Sequence, residues 1–152
     1  MPLTDADYSA LAGFRRGLRE FIAFSQAQAR AVGISPQQHQ AMLAIRGRPN
    51  QQLTVGELAA EVLIKPHSAL ALADRLIVAG LVKRTGDEVD RRRVILMLTP
   101  KAKGLLARLS QAHLAELSHQ RGFLRDLLSH LTSPHDSDAV TNSVGPRPRR
   151  SR

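Results

Sequence analysis

The chain has 152 residues, enough for one compact domain, and 43% of them are hydrophobic, which excludes a chain that is disordered throughout. It has no cysteine, which excludes disulfides, thiolate zinc sites and thiol redox sensors, and no apolar run approaches the roughly 18 residues of a transmembrane helix. The net charge of +9 favours a polyanionic partner, with a basic protein that has no such partner as the alternative.

The first predicted element is a long amphipathic helix over residues 4–31. Thr4 begins it, and Asp5 and Asp7 lie in its first turn, where the helix dipole favours negative charge. Apolar and aromatic side chains then recur every three or four residues, at Tyr8, Leu11, Phe14, Leu18, Phe21 and Ile22. We expect this stripe to form a dimer interface, with ordinary packing inside one chain as the alternative.

Two further helix starts follow. Ser35 and Pro36 have the residue types of an N-cap and of the first helical position, and Thr54 with Glu57 has the spacing of a capping box. The basic loop 46–52 between them offers arginines to a phosphate or to solvent. The helix that starts at Thr54 is expected to bury one apolar face, made of Leu58, Ala59, Val62 and Leu63.

A fourth helix follows so closely that it forms a helix-turn-helix with the third. Pro66 starts it, and Gly80 ends it as a left-handed cap. Two strand-like runs, 81–84 and 94–98, are joined by a polar loop and predict a β-hairpin. The predicted fold class is therefore mainly α with a small β-hairpin wing (α+β), a winged helix-turn-helix over residues 35–99.

Residues 100–131 are predicted to form helices that complete a single domain of residues 1–131, with dimerisation helices at both ends. The tail 132–152 is rich in Ser, Pro, Asp and Arg and is expected to be a disordered basic tail. Residues 46–103 hold eleven Lys and Arg against six Asp and Glu, a net of +5. More than half of the excess charge thus lies on the helix-turn-helix and the hairpin.

Two segments carry a resemblance to a known family. Residues 73–84 read ADRLIVAGLVKR and residues 90–104 read DRRRVILMLTPKAKG. This pair resembles the MarR family of transcription regulators, which shows D-R-L-x-x-x-G-L-V-x-R and D-R-R-x-x-x-x-x-L-T-x-x-G at a similar separation. Residues 35–38 and 54–59 also fit that family's second and third helices, so the resemblance extends over about residues 8–131.

The resemblance implies a homodimer whose recognition helices enter successive major grooves of a pseudo-palindromic operator on double-stranded DNA. It implies a repressor that loses DNA affinity when a small, commonly aromatic or phenolic, effector enters a crevice between the two halves. It also implies wing arginines that reach the flanking minor grooves, which gives Arg91, Arg92 and Arg93 as DNA-binding candidates. One of the three is expected to face the wing's own helix instead. No cofactor is expected.

The predicted recognition helix departs from the family's frequent S-x-S-T-V-T-R, because residues 65–71 read KPHSALA and end on Ala71 instead of Arg. Its DNA-binding candidates are Lys65, Pro66, His67 and Ser68, together with Thr54 on the preceding helix. For Lys65 the alternative is solvated surface, and for His67 and Ser68 it is a hydrogen bond at the helix start.

The angle of the wing is predicted to depend on one ion pair. Asp90 is expected to pair with Arg75 on the recognition helix, with a plain turn residue as the alternative for Asp90.

Catalysis and metal binding are not predicted. The six histidines lack the compact spacing of a helical metal site, and no Ser/His/Asp order or glycine-rich phosphate loop is present. A cytoplasmic protein is the simplest interpretation, since the N-terminus does not resemble a signal sequence. Two other functions stay open, namely a nucleic-acid-binding or architectural basic module without sequence preference and a dimerising protein that has lost DNA binding.

Overall fold

The computed structural model describes residues 3–86, 89–90 and 93–132. Its elements in chain order are α1 (Asp5–Ala31), α2 (Pro36–Gly47), β1 (Gln52–Thr54), α3 (Val55–Glu61), α4 (Pro66–Val78), β2 (Val82–Gly86), β3 (Val94–Leu98), α5 (Pro100–His119) and α6 (Arg121–Thr132). The fold is mostly helical, as predicted, with a small antiparallel sheet. Within these ranges no helix combines the length and the apolar character that crossing a bilayer requires.

Helix starts lie where the sequence predicts them. The side chains of Thr4, Ser35 and Thr54 each accept the N–H of the residue three positions later, and that residue's side chain accepts the cap's own N–H. Thr99 likewise accepts the N–H of Ala102 at the start of α5. These bonds satisfy N–H groups that have no partner inside the helix, so local sequence determines where four helices begin.

Helix ends involve left-handed residues at two glycines and one leucine, and of these Gly80 is the cap that the sequence predicts. Gly33 and Gly80 adopt the left-handed conformation, with φ of +80° and +69°. Leu63 adopts it as well, with φ of +55°, and its side chain is 90% exposed. The expectation that Leu63 lies on the buried face of α3 is therefore wrong. The helix ends at Glu61, and the left-handed turn directs the leucine side chain into solvent.

The sheet has the strand order β1-β3-β2, with both pairs antiparallel. The predicted hairpin pairs Val82 with Leu98. A third strand, β1, was not predicted; it pairs Leu53 with Leu96 on the other edge of β3. The wing is thereby hydrogen-bonded to the segment that leads directly into α3.

The hydrophobic core is centred on the winged helix-turn-helix and extends to the N-terminal half of α5. The largest fully buried side chains all fall between α2 and β3: Met42, Ile45, Leu53, Leu58, Leu72, Leu76, Leu81 and Leu96. In α1 the buried residues are the small Gly17 and Ala29, and no described side chain of α6 is buried. Helices α1 and α6 therefore keep most of their apolar surface outside the core of a single chain.

The C-terminal end of α4 is hydrogen-bonded to the start of α5. The hydroxyl of Thr99 donates to the carbonyl of Gly80 at 2.7 Å. The ammonium of Lys101 donates to the carbonyl of Ala79 at 3.1 Å, which satisfies a helix-end acceptor and suits the negative end of the dipole. The helix-turn-helix and the long helix α5 are thus joined by side chains as well as by the backbone.

Candidate nucleic-acid interface

The first turn of α4 presents polar side chains to solvent. Lys65 is the N-cap and makes no capping hydrogen bond through its side chain, and Pro66 supplies the first helical position. Lys65, Pro66 and His67 are exposed, and Ser68 is half-buried. Across the described ranges, neither Lys65 nor His67 has a side-chain hydrogen bond or ion pair, so the alternative of a helix-start hydrogen bond for His67 is not found there. Both side chains can reach a phosphate or a base edge.

Beyond that turn, the outer face of α4 is mainly apolar. The inner face buries four residues, Ala69, Leu72, Ala73 and Leu76. The exposed positions at helical spacing are His67, Leu70, Ala71, Asp74 and Val78. Leu70 is 47% exposed and Val78 is 88% exposed. The groups that can hydrogen-bond to a base are therefore concentrated at the N-terminal end of the helix.

The recognition helix contacts the wing through a different ion pair from the predicted one. Within the described residues, the Nη2 atom of Arg75 donates to the Oε1 atom of Gln37 on α2 at 3.5 Å, so Arg75 does not make the expected contact with Asp90. Instead Asp74 lies 3.8 Å from Arg84 on β2. One residue corresponds to about 100° around a helix, which directs Asp74 toward the wing and Arg75 toward α2. Because both partners of the Asp74–Arg84 pair are about half exposed, the pair adds little stability.

The side chain of Thr54 caps the start of α3. Its hydroxyl accepts the N–H of Glu57 at 3.2 Å, and the Glu57 carboxylate accepts the N–H of Thr54 at 2.7 Å. This second bond is the main reason that the pKa of Glu57 lies below its ordinary value, and the nearby charges of Arg48 and Arg93 lower it further. Thr54 thus positions the start of α3, whatever it contributes to a DNA contact.

The base of the wing lies beside α3 and α4. Arg93 is exposed immediately before β3, and its backbone N–H donates to the carbonyl of Asp90 at 2.9 Å. Arg93, Thr54 and Leu70 line one shallow cleft of about 320 Å³, which brings the wing, α3 and α4 together. Two further predicted wing residues, Arg91 and Arg92, lie outside the described residues.

The basic loop between α2 and β1 supplies a structural arginine. The Nη2 atom of Arg48 lies 3.2 Å from Glu61 and 4.0 Å from Glu57. Arg48 therefore holds α3 against this loop and is not freely available to a phosphate. Arg46 is exposed, so its side chain is available to contact a phosphate.

A separate cavity of about 410 Å³ lies between α1, α2 and α5. Its lining is mostly apolar, from Phe21, Ile22, Leu43, Leu114 and Leu117, with His39 and His113 among the polar groups. His39 is 4% exposed, and its ring has no hydrogen-bond partner in the described part of the chain. Burial, and next the charge of His113, lower the pKa of His39. The cavity thus contains a neutral, unpaired imidazole on an apolar wall.

His113 is held in place from three sides. Its Nδ1 atom is hydrogen-bonded to the carbonyl of Leu109, and its Nε2 atom lies 2.8 Å from the Ser25 hydroxyl. The ring of His113 meets Phe21 edge-on, and its centroid lies 4.8 Å from that of His39. Sequence reasoning missed this pair, because the two histidines are 74 positions apart and only the fold places them together. No group of three or more potential metal-ligating side chains occurs among the residues that the structure describes.

Comparison with known proteins gives two matches at the level of sequence. Residues 32–93, which run from the end of α1 to the base of the wing, match the model of the MarR family. A protein of Bacillus subtilis strain 168, named as the uncharacterised HTH-type transcriptional regulator YcgE, is 34% identical over 95 residues. That alignment covers 62% of this chain and 60% of the relative's length.

Solved structures extend the similarity to most of the chain. AbsC of Streptomyces coelicolor, a MarR family transcriptional regulator, superposes with a TM-score of 0.67 at 19% identity, over 86% of this chain and 90% of that one. Sco3205 of the same organism, a MarR family regulator solved in complex with DNA, gives a TM-score of 0.63 at 17% identity, over 91% and 96% of the two chains. At these identities, the similarity establishes the fold.

Proposed function

We propose that this chain is a MarR-family transcription regulator of the cytoplasm, a homodimeric repressor that binds a pseudo-palindromic operator and releases it when a small ligand binds. The observation that carries the DNA-binding part is the exposed and unpaired pair Lys65 and His67 at the N-terminal end of α4. In helix-turn-helix proteins this end of the second helix contacts the base edges. The similarity to a regulator solved with DNA supports the same reading.

The distribution of charge supports a duplex as the partner. Residues 46–103 carry a net charge of +5, and Arg93 brings part of it next to α3 and α4. We propose that Arg91, Arg92 and Arg93 extend this basic surface toward the minor groove, whose negative potential attracts arginine. Lys65 and the wing then contact the same duplex from neighbouring grooves.

A gel-shift series tests this function on a duplex from the chain's own upstream region. If a dimer neutralises about six phosphates, log affinity should fall against log salt with a slope of about −5. Lys65→Ala should lower the affinity and reduce the slope by about two, one for each protomer. The control is Arg108→Ala, which removes one positive charge from an exposed position on α5. Equal and weak affinity for every duplex would contradict a specific regulator.

The terminal helices support the proposed dimer. In α1, four large apolar side chains are 44–59% exposed: Tyr8, Leu11, Leu18 and Ile22. Leu114 on α5 and Leu128 on α6 are 65% and 60% exposed. Large apolar side chains exposed at helical spacing along one helix are typical of a surface that another protein chain covers. We propose that a second copy of the chain covers it.

The cavity between α1, α2 and α5 supports the proposed ligand response. It joins helices of the proposed dimer to a helix of the DNA-reading unit, and its volume of about 410 Å³ suits a small aromatic molecule. The ring of His39 has no hydrogen-bond partner in the described part of the chain, so it would donate a hydrogen bond to a phenolic or carboxylate oxygen of the ligand. We therefore propose a small aromatic or phenolic effector at this site.

Calorimetric titration with benzoate and with phenol tests the effector site. His39→Phe keeps the size of the ring and removes its nitrogens. If His39 binds the acidic oxygen, benzoate affinity should fall by roughly 10–100-fold, the value of a hydrogen bond to a charged group. His119→Gln, at an exposed position of α5, should leave it unchanged. Unchanged benzoate binding in His39→Phe would contradict the role of His39.

A further inference from the structure

The middle of the outer face of α4 is apolar, and this predicts which base the helix contacts. After His67, the next positions on this face are Leu70 and Ala71, and both are exposed. We propose that Leu70 reads the C5-methyl group of a thymine in the major groove, so that each half-site of the operator carries thymine at a defined position. The inference rests on the proposed function, in which α4 enters that groove.

The first argument concerns the other polar groups of the helix. Asp74 and Arg75 follow Ala71, and both are engaged within the protein, Asp74 by Arg84 at 3.8 Å and Arg75 by Gln37 at 3.5 Å. Their side chains are therefore directed toward β2 and α2. In the middle of the outer face, only apolar side chains are left to meet a base.

The second argument concerns the bases. Among the groups that the four bases display in the major groove, the thymine methyl is the apolar one, and the others are hydrogen-bond donors and acceptors. A leucine placed against such a donor or acceptor would take it out of water without a partner, which is unfavourable. Thymine is the base that Leu70 can cover without this loss.

The third argument concerns rigidity. Leu70 is only 47% exposed, so about half of its surface is covered by the rest of the protein. This packing restricts the side chain to fewer conformations than a fully exposed leucine has. Five residues separate it from Lys65, about 7.5 Å along the helix axis. The expected thymine is thus at a different base pair from the one that Lys65 contacts.

Replacement of thymine by uracil tests the inference, because it removes the methyl group and leaves every hydrogen-bonding group in place. The bound site is first selected from a random duplex pool, and each of its thymines is then replaced in turn. At the position that Leu70 covers, affinity should fall about fourfold, which is about 0.8 kcal/mol for one methyl group at about 1.4 kcal/mol per tenfold. Replacement in both half-sites should lower it about 15-fold.

Two variants assign the effect to Leu70. Leu70→Ala should bring the thymine-to-uracil affinity ratio at that position close to one. Val78→Ala is the matched control, since Val78 is an exposed apolar residue of the same helix, about 12 Å further from its N-terminal end. It should leave the ratio at about four. Melting temperatures of both variants, measured in parallel, show that each is folded.

The outcomes separate this inference from the proposed function. Sequence-specific binding with equal affinity for thymine and uracil duplexes would overturn the inference alone. A thymine preference that Leu70→Ala leaves unchanged would overturn it too. Absence of binding to any duplex would overturn both the inference and the proposed function.

Discussion

His39 is a titratable side chain that the fold holds in its neutral form. Its ring is 4% exposed and lies between helices, 4.8 Å from the ring of His113. Burial lowers its pKa below the ordinary value of 6.5, and the charge of His113 lowers it further. A protonated His39 would place an unpaired charge on an apolar wall, so the folded state resists proton uptake at this position.

The stability of the fold should therefore decrease at mildly acid pH. Below about pH 6.5, the unfolded chain binds a proton at His39 that the folded chain does not, so stability is lost as the pH falls from there toward the lowered folded-state pKa. The loss from one such group is at most about 1.4 kcal/mol per pH unit. Urea unfolding at several pH values should show this loss in the native chain and less of it in His39→Phe.

The exposed His119 provides the control for this measurement. His119→Gln should keep the pH dependence of the native chain. If His39→Phe and His119→Gln give the same curve as the native chain between pH 5 and pH 7, proton exclusion at His39 does not contribute to stability.

At the scale of elements, the packing of α6 on α1 depends on a missing side chain. Gly17 is buried in α1, and a Cβ atom there would lie 2.6 Å from the ring of Phe123 on α6. At Gly13, one turn earlier, a Cβ atom would lie at an ordinary contact distance of 3.8 Å from the same ring. The two glycines occupy the same helix and the same contact but differ in the space available.

Alanine substitution should therefore have opposite effects at the two positions. Gly13→Ala should raise the free energy of unfolding by up to about 1 kcal/mol, because alanine favours the helix. Gly17→Ala should lower it by about 1 kcal/mol, because the cost of overpacking exceeds that gain. Thermal unfolding of both variants at one protein concentration makes the comparison. Equal stabilisation by both would contradict close packing of Phe123 against Gly17.

The elements also show what sequence alone can predict. Thr4, Ser35 and Thr54 were all expected at helix starts, and each caps its helix in the structure, because a cap depends on residues within one turn. The strand β1 was missed, because its pairing with β3 joins residues more than 40 positions apart and leaves no local pattern in three residues. The exposure of Leu63 was missed because helical spacing does not reveal where a helix ends.

The candidate functional sites likewise contain residues that the sequence predicts and contacts that it does not predict. Lys65 and His67 were predicted, because the residue types at a helix start follow from the chain itself. The contact of Arg84 with Asp74 and the pairing of His39 with His113 were not, because each joins separate elements. Contacts of this kind depend on how the helices pack, which the spacing of residues within one helix does not determine.

At the scale of the whole molecule, the exposed apolar surface of the terminal helices should determine the oligomeric state. Leu11 and Leu18 are 55% and 44% exposed in the single chain, so replacing them with aspartate costs that chain little but would place charges inside the proposed interface. Light scattering after size exclusion should give the mass of two chains for the native protein and of one for Leu11→Asp/Leu18→Asp. Leu63→Asp changes a leucine that is 90% exposed on the DNA-reading unit and should stay dimeric. A monomeric native protein would contradict the interface.

The hydrogen bonds of Thr99 and Lys101 have a mechanical consequence. They join the carbonyls of Ala79 and Gly80, at the C-terminal end of α4, to the start of α5. Helix α5 is about 30 Å long, and its middle and C-terminal parts line the cavity. A tilt of α5 by about 5° about its N-terminal end displaces its C-terminal end by about 2.5 Å. A molecule that pushes Leu114 or Leu117 aside would therefore pivot α5 about its anchored start and rotate α4 with it. In the proposed dimer, a ligand the size of one aromatic ring would in this way change the spacing of the two recognition helices without contacting either of them.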